Sequence, residues 1–240
     1  LPSPELFLLP LARVAAASGA RTFRLEQDGR DLVVEFDGAP LPPEAVRDPF
    51  AAVTAESPDS RLRAWGLAVL AALRARPRRI LLESAGQASA VRSPGEVAVA
   101  KPKSPHGTIF RLVGPRGLPS AAKLKVSLAA RAPGFAEQLT VRGRRPRPAP
   151  AELSFDDGTV RGCLRVPSEH RVASNLLVCV QGVGAATVSF VLYGAAQVEG
   201  WVNDDRLGLN ASLNGVVRDE RQEALGGVLS DKLQRLLRNA

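Results

Sequence analysis

The run GRRPRPAPA, from Gly143 to Ala151, carries three prolines and three arginines in nine residues, and it limits what this chain can become. Each proline lacks the N–H that a helix or a sheet ladder needs, so no helix and no central strand passes through it. The chain is therefore expected to fold as two pieces, 1–143 and 151–240, joined by a Pro/Arg linker over 144–150.

Both pieces are made of ordinary globular material. Hydrophobic residues are 45% of the 240 and charged residues 23%, a balance that excludes a disordered or membrane-embedded chain. No apolar run approaches the roughly 20 residues that span a bilayer, so no membrane partner is expected. Formal net charge is +8, which favours anionic partners in a general way. The densest basic cluster, RGRRPRP over Arg142 to Pro148, has no interleaved aromatic. It reads as a solvated linker, and nucleic acid is not expected as a partner. Cys163 and Cys179 form no CxxC pair, and the histidines are His106 and His170 alone, so no metal site is expected and the chain should be reduced and cytoplasmic. The chain opens on Leu1 and contains no methionine, so its native start is expected to lie outside this sequence, and the opening LPSPELFLLPLARVAAA, without a basic leading region, is not expected to be an intact secretory signal.

Ser3-Pro4-Glu5 is a helix start, and an apolar helix should follow to about Ser18, kinked or divided at Pro10. Gly19 ends it. TFRLEQ and DLVVEF then flank Asp28-Gly29 as a hairpin. A second Ser-Pro at Ser57 opens a helix with apolar Leu62, Trp65, Leu67, Leu70 and Leu73, closing at Pro77. RILLES (Arg79 to Ser84), EVAVA (Glu96 to Ala100) and GTIFRLV (Gly107 to Val113) read as strands, Ser120 to Ala132 as a helix, and EQLTVRG (Glu137 to Gly143) as a strand. Beyond the linker, strands are expected near TVRGCLRV, NLLVCVQ, TVSFVLY and QVEGWV, with a closing helix over roughly Asp219 to Leu237.

Helix, hairpin, short loop helix, long helix, two strands and a Gly-Thr strand make an α+β order. Inside that order the residues resemble the GHKL (Bergerat-fold) superfamily of gyrase, heat-shock-ninety chaperones, histidine kinases and MutL. GARTFRLEQDGRDLVVEFDGAPL (Gly19 to Leu41) is similar to the superfamily's helix end, hairpin and adenine-binding turn. RLRAWGLAVLAAL (Arg61 to Leu73) with RILLES resembles its second glycine motif, helix and strand, and HGTIFRLV (His106 to Val113) its Gly-Thr strand. GWVNDDRLGLNAS (Gly200 to Ser212) is similar to the middle-domain segment of heat-shock-ninety (HtpG-like) chaperones. The resemblance implies a Bergerat-type α/β sandwich, helices over a mixed antiparallel sheet, followed by a smaller, shortened middle-type α+β domain. The family's C-terminal dimerisation domain has no counterpart, so any oligomer is expected through regions outside this chain.

The superfamily's catalytic groups are not matched. Its first helix carries a Glu that orients water and an Asn that holds magnesium. Here those places fall on Pro10 and Val14, or, anchored on Glu5, the Asn place falls on Leu9. The adenine turn, normally Asp-x-Gly-x-Gly, aligns with Phe36, Asp37, Gly38, Ala39 and Pro40, so the carboxylate is one place late and turned to the other face unless a bulge restores it. Of the phosphate-binding glycines only Gly66 stands in place, with Arg63 at an earlier one, and the middle-domain arginine falls on Leu213. Asp37, Gly38, Gly66, Gly107 and Thr108 are the retained nucleotide-site residues; no catalytic residue is assigned. His106, His170 and Ser84 have no nucleophile motif around them, and Asp156-Asp157-Gly158 and Asn203-Asp204-Asp205 read as turns.

These residues imply a chaperone-like scaffold or regulator that binds a protein partner or client, without ATP hydrolysis and with no cofactor. Two other readings remain open: a divergent heat-shock-ninety-like ATPase that uses ATP and Mg through Glu5 and Asp37, and a MutL-like basic module that binds nucleic acid through Arg142, Arg144 and Arg145.

Overall fold

The computed structural model describes residues 4–54, 59–102, 107–138, 152–167, 172–191 and 197–239. The chain forms two compact units, one of Leu1–Ala130 with Phe135–Val141, the other of Arg131–Gly134 with Arg142–Ala240.

The first unit opens with a 3-10 turn, Pro4–Phe7, that runs into α1, Leu8–Ala17. The division expected at Pro10 falls three residues earlier, because Pro10 sits in the first turn of α1, where no N–H is required. Gly19 follows at φ +67° and turns the chain into β1 (Phe23–Asp28) and β2 (Asp31–Phe36), an antiparallel hairpin paired from Phe23↔Phe36 to Asp28↔Asp31. Two short helices, α2 (Pro43–Arg47) and α3 (Ala51–Thr54), lead to α4 (Ser60–Leu73). The Asp59 carboxylate caps α4 by accepting from the N–H groups of Arg61 and Leu62.

β3 (Arg79–Ser84), β4 (Gln87–Ser93), β5 (Glu96–Val99) and β6 (Thr108–Val113) complete a six-stranded sheet in the order β1-β2-β6-β3-β4-β5, antiparallel at every pairing. Alternation in β2 and β6 buries Leu32, Val34, Phe36, Phe110 and Leu112 on one face. There Phe110 stacks on Phe7 at 6.0 Å and meets Trp65 of α4 edge-on at 5.6 Å. Each such aromatic contributes about 1.5–3 kcal/mol by burial. Trp65 satisfies its indole N–H by donating to the carbonyl of Ala45 in α2.

α5 (Ala121–Arg131) and α6 (Pro133–Gln138) follow. The strand expected from Glu137 is corrected here: Glu137 and Gln138 are helical, because Pro133 opens a helical turn and Phe135 anchors it edge-on against Phe23 at 5.3 Å. The remainder of that expected strand and the linker 144–150 lie outside the described residues.

The second unit is a five-stranded sheet of β7 (Glu152–Asp156), β8 (Val160–Arg165), β9 (Ser174–Val180), β10 (Val183–Phe190) and β11 (Glu199–Asp204), in the order β10-β9-β11-β8-β7. β11 is parallel to β9 and antiparallel to β8. α7 (Glu220–Asn239) covers one face, setting Leu225 among Val160, Val178, Val180 and Val202, and Leu233 and Leu236 among Leu164, Leu176 and Val198.

Candidate functional site

β2 ends on an aromatic residue, not a carboxylate. Phe36 is buried and stacks on Phe23 at 6.1 Å, while its backbone pairs with Phe23 and Thr108. The register is unshifted on both sides of β2, so the bulge that would restore the carboxylate does not form. Asp37 lies past the strand end, and its Oδ1 accepts from the N–H groups of Arg21 (2.7 Å) and Thr22 (2.8 Å) in the turn between α1 and β1. Burial raises the pKa of this carboxyl, but the bonds from Thr22 and Arg21 outweigh that and hold it below the ordinary aspartate value.

Gly38 adopts φ +102°, and a Cβ there would lie 2.4 Å from the carbonyl oxygen of Ser18 and 2.9 Å from the nitrogen of Ala20. Ala39 N–H donates to the same Ser18 carbonyl at 2.7 Å, so the turn is laid directly on the end of α1. Gly66 stands inside α4 and not at its start. A Cβ on it would lie 2.3 Å from Val53 Cγ2 and 2.4 Å from the carbonyl oxygen of Pro49. Gly107, at φ +77°, closes on β2 in the same way: a Cβ on it would lie 3.1 Å from the Phe36 carbonyl oxygen. Thr108 is buried; its hydroxyl is 3.0 Å from Ser84 Oγ, which accepts from Leu41 N–H at 2.9 Å. That bond also gives Ser84 its place: it ties β3 to the turn after Asp37.

The structure thus brings Asp37, Gly38, Gly107 and Thr108 to one end of the sheet and places Gly66 in the helix layer. All five are engaged by the chain's own atoms. Of the positions that the resemblance aligns with the magnesium and water ligands, Leu9, Pro10 and a fully buried Val14 offer no side-chain oxygen, and Glu5 lies in the 3-10 turn before α1. The guanidinium that reaches the turn belongs to Arg61, 3.5 Å from the carbonyl oxygens of Ala39 and Pro40. The close approaches at Gly38, Gly66 and Gly107 are made to the chain's own atoms, and β2 ends on Phe36.

Two clefts open in the first unit, the smaller of them at these site residues. One of about 410 Å³ lies on the sheet face opposite the helices, between Glu26, Val33, Glu35, Glu83, Ile109 and Arg111. Burial works against the Arg111 charge, but bonds to Asp28 (2.9 Å) and Asp31 (3.2 Å) outweigh it and raise its pKa further. The other, about 180 Å³, is bordered by Thr22, Arg24, Glu35, Phe36, Asp37 and Gly107.

In the second unit, Leu213 is buried at φ +55°. Asn203 Oδ1 accepts from Gly182 N–H (2.6 Å), and Asp205 accepts from Gln181 N–H (2.7 Å), clamping the β9–β10 turn. Asp204 is fully buried and paired with Arg221 and Arg206, a role that turn chemistry alone does not predict. Asp156 accepts from Gly158 N–H (2.8 Å), and Asp157 pairs with Lys232 (2.8 Å). The Cys163 thiol donates to Glu152 Oε1 at 2.9 Å. His106, His170, Arg142, Arg144 and Arg145 lie outside the described residues. Among the described residues no group of three or more His, Cys, Asp or Glu is placed to hold a metal ion, and no helix is long and apolar enough to cross a membrane.

A helix, a hairpin, a helix layer and a central Gly-Thr strand make a Bergerat-type α/β sandwich, followed along the chain by a smaller α+β unit. Solved structures with this fold include the B subunit of DNA gyrase from Myxococcus xanthus, 17% identical, with a TM-score of 0.53 over 93% of this chain and 86% of that one. They also include the ATPase region of Saccharomyces cerevisiae topoisomerase II bound to ICRF-187 (dexrazoxane), 9% identical, with a TM-score of 0.55 over 97% of this chain and 85% of that one. No protein-family model and no curated protein matches the sequence.

Proposed function

We propose that this chain is a protein-binding module, a scaffold or regulator, built on a GHKL frame whose nucleotide site no longer supports hydrolysis. One observation carries the reading: the bare faces of Gly38 and Gly66 are filled by Ser18, Pro49 and Val53 of the same chain. A glycine kept against its own backbone serves packing and leaves no cradle for a phosphate. The finer assignment, to the heat-shock-ninety (HtpG-like) type with a middle-type domain over 151–240, rests on the Gly200 to Ser212 segment. A protein partner or client would meet exposed Val172, Val188, Val191 and Val217 of the second unit first.

The second reading, a divergent ATPase, is favoured by the smaller cleft, which Asp37 and Gly107 border, and by the ATPase region of topoisomerase II among the solved structures of the same fold. Isothermal titration of Mg-ATP and of ADP separates the two, with Asp37→Ala as the site control. No saturable heat at millimolar nucleotide is expected. Heat that saturates in the wild type and disappears in Asp37→Ala would overturn the proposal in favour of a working, displaced nucleotide site.

A further inference from the structure

Two loops at one end of the first unit concentrate arginines. The α4–β3 connection and the first residue of β3 read RARPRR over Arg74 to Arg79, and the β6–α5 connection contains GPRG over Gly114 to Gly117. Folding sets them side by side: Arg116 N–H donates to the Ala75 carbonyl at 2.7 Å, and Arg78 N–H donates to the Val113 carbonyl at 2.9 Å. Arg74, Arg76, Arg78, Arg79 and Arg116 are all exposed. None of the five makes an ion pair among the described residues, whereas Arg61, Arg92, Arg111, Arg165, Arg206 and Arg221 each face a carboxylate.

Arg76 adds an independent sign. It occupies the left-handed position after α4, at φ +46°, where glycine is the usual residue because a Cβ strains the backbone. An arginine held there keeps its side chain against a conformational cost, and Pro77 and Pro115 stiffen both loops.

We propose that these two loops form a docking surface for the phosphodiester backbone of nucleic acid, with the five guanidiniums as the phosphate contacts. Guanidinium forks match phosphate oxygens two at a time, which suits arginine rather than lysine at such a surface. Neither loop holds an aromatic residue for stacking on bases, so contact is to the backbone and independent of sequence. An anionic membrane surface fits less well, because the only large apolar side chain in the two loops, Leu118, is half-buried, too little to enter the headgroup layer. The surface uses none of the Arg142–Pro148 run, which reads as linker, and it does not depend on the nucleotide site.

The test is anisotropy of labelled duplexes of two unrelated sequences, titrated with the full chain between 50 and 200 mM salt. Both duplexes should bind alike, and five phosphate contacts alone would weaken binding roughly 500-fold across that range, from a slope of about 0.9 per contact. Arg76→Gln/Arg78→Gln/Arg116→Gln should lower the slope by about 2.7. Arg76→Gly, which suits the backbone there, should lower it by about 0.9 with no loss of thermal stability, so a folding defect is not mistaken for lost contacts. The proposal is overturned if the triple variant keeps the wild-type affinity and slope. It is equally overturned if Arg142→Gln/Arg144→Gln/Arg145→Gln removes all binding, if vesicles of anionic lipid bind and duplexes do not, or if no duplex binds at 50 mM salt.

Discussion

At the residue scale, two carboxylates do structural work of different kinds. Asp37 accepts from two backbone N–H groups in the turn after α1, much as a capping residue does. Asp37→Ala is expected to cost about 1 kcal/mol, read from the urea midpoint. Because the folded pKa is depressed, this stability is fully present above the unfolded pKa and is lost as pH falls through the folded one. The gap between wild type and Asp37→Ala should therefore narrow on acidification, and a constant gap down to strongly acid pH would refute the assignment. Asp204 is fully buried against Arg221, while its other partner, Arg206, is largely exposed and adds little. Removing the carboxylate with Asp204→Ala leaves Arg221 uncompensated, and a loss of about 3 kcal/mol is expected in thermal or urea unfolding.

At the element scale, one substitution should act with opposite sign on two helices. Gly66→Ala adds helix propensity to α4 but drives a methyl group into the Pro49 carbonyl and Val53, so a net loss of about 1–3 kcal/mol is expected. Gly227→Ala in α7 meets open space and should gain about 1 kcal/mol. Urea midpoints of the two variants decide both. The same contrast explains what is legible in the sequence. The β1–β2 hairpin can be read because alternation and Asp28-Gly29 are local signals, and α4 and α7 because their apolar spacing is. β4 escapes such a reading: QASAVRS is small and polar, and it is a strand only because β3 and β5 flank it. Nor does any local signal place Val53 and Pro49 against Gly66, or Arg116 beside Ala75. The one-residue offset of Asp37 is visible in the sequence; that Arg21 and Thr22 bond to it is not.

For the molecule as a whole, the proposed loss of nucleotide binding has a thermodynamic signature apart from heat. A ligand held at a hundred times its Kd raises stability by about 2.7 kcal/mol, and one that does not bind raises it by none. Millimolar Mg-ATP is expected to leave Tm where it is, and a rise that grows with nucleotide concentration would contradict that reading.

Both sheets share a further property. β6 lies between β2 and β3, and β11 between β8 and β9, so in each sheet the strand in the middle is the last of its set to be synthesised. Until residue 108 leaves the ribosome, the β1–β2 hairpin and the β3–β4–β5 meander have no strand between them and leave their inner edges unpaired. The second sheet waits in the same way for residue 199. Assembly by late insertion makes folding depend on distant contacts, which slows it and lengthens the time during which nascent edges are open to aggregation or to a chaperone.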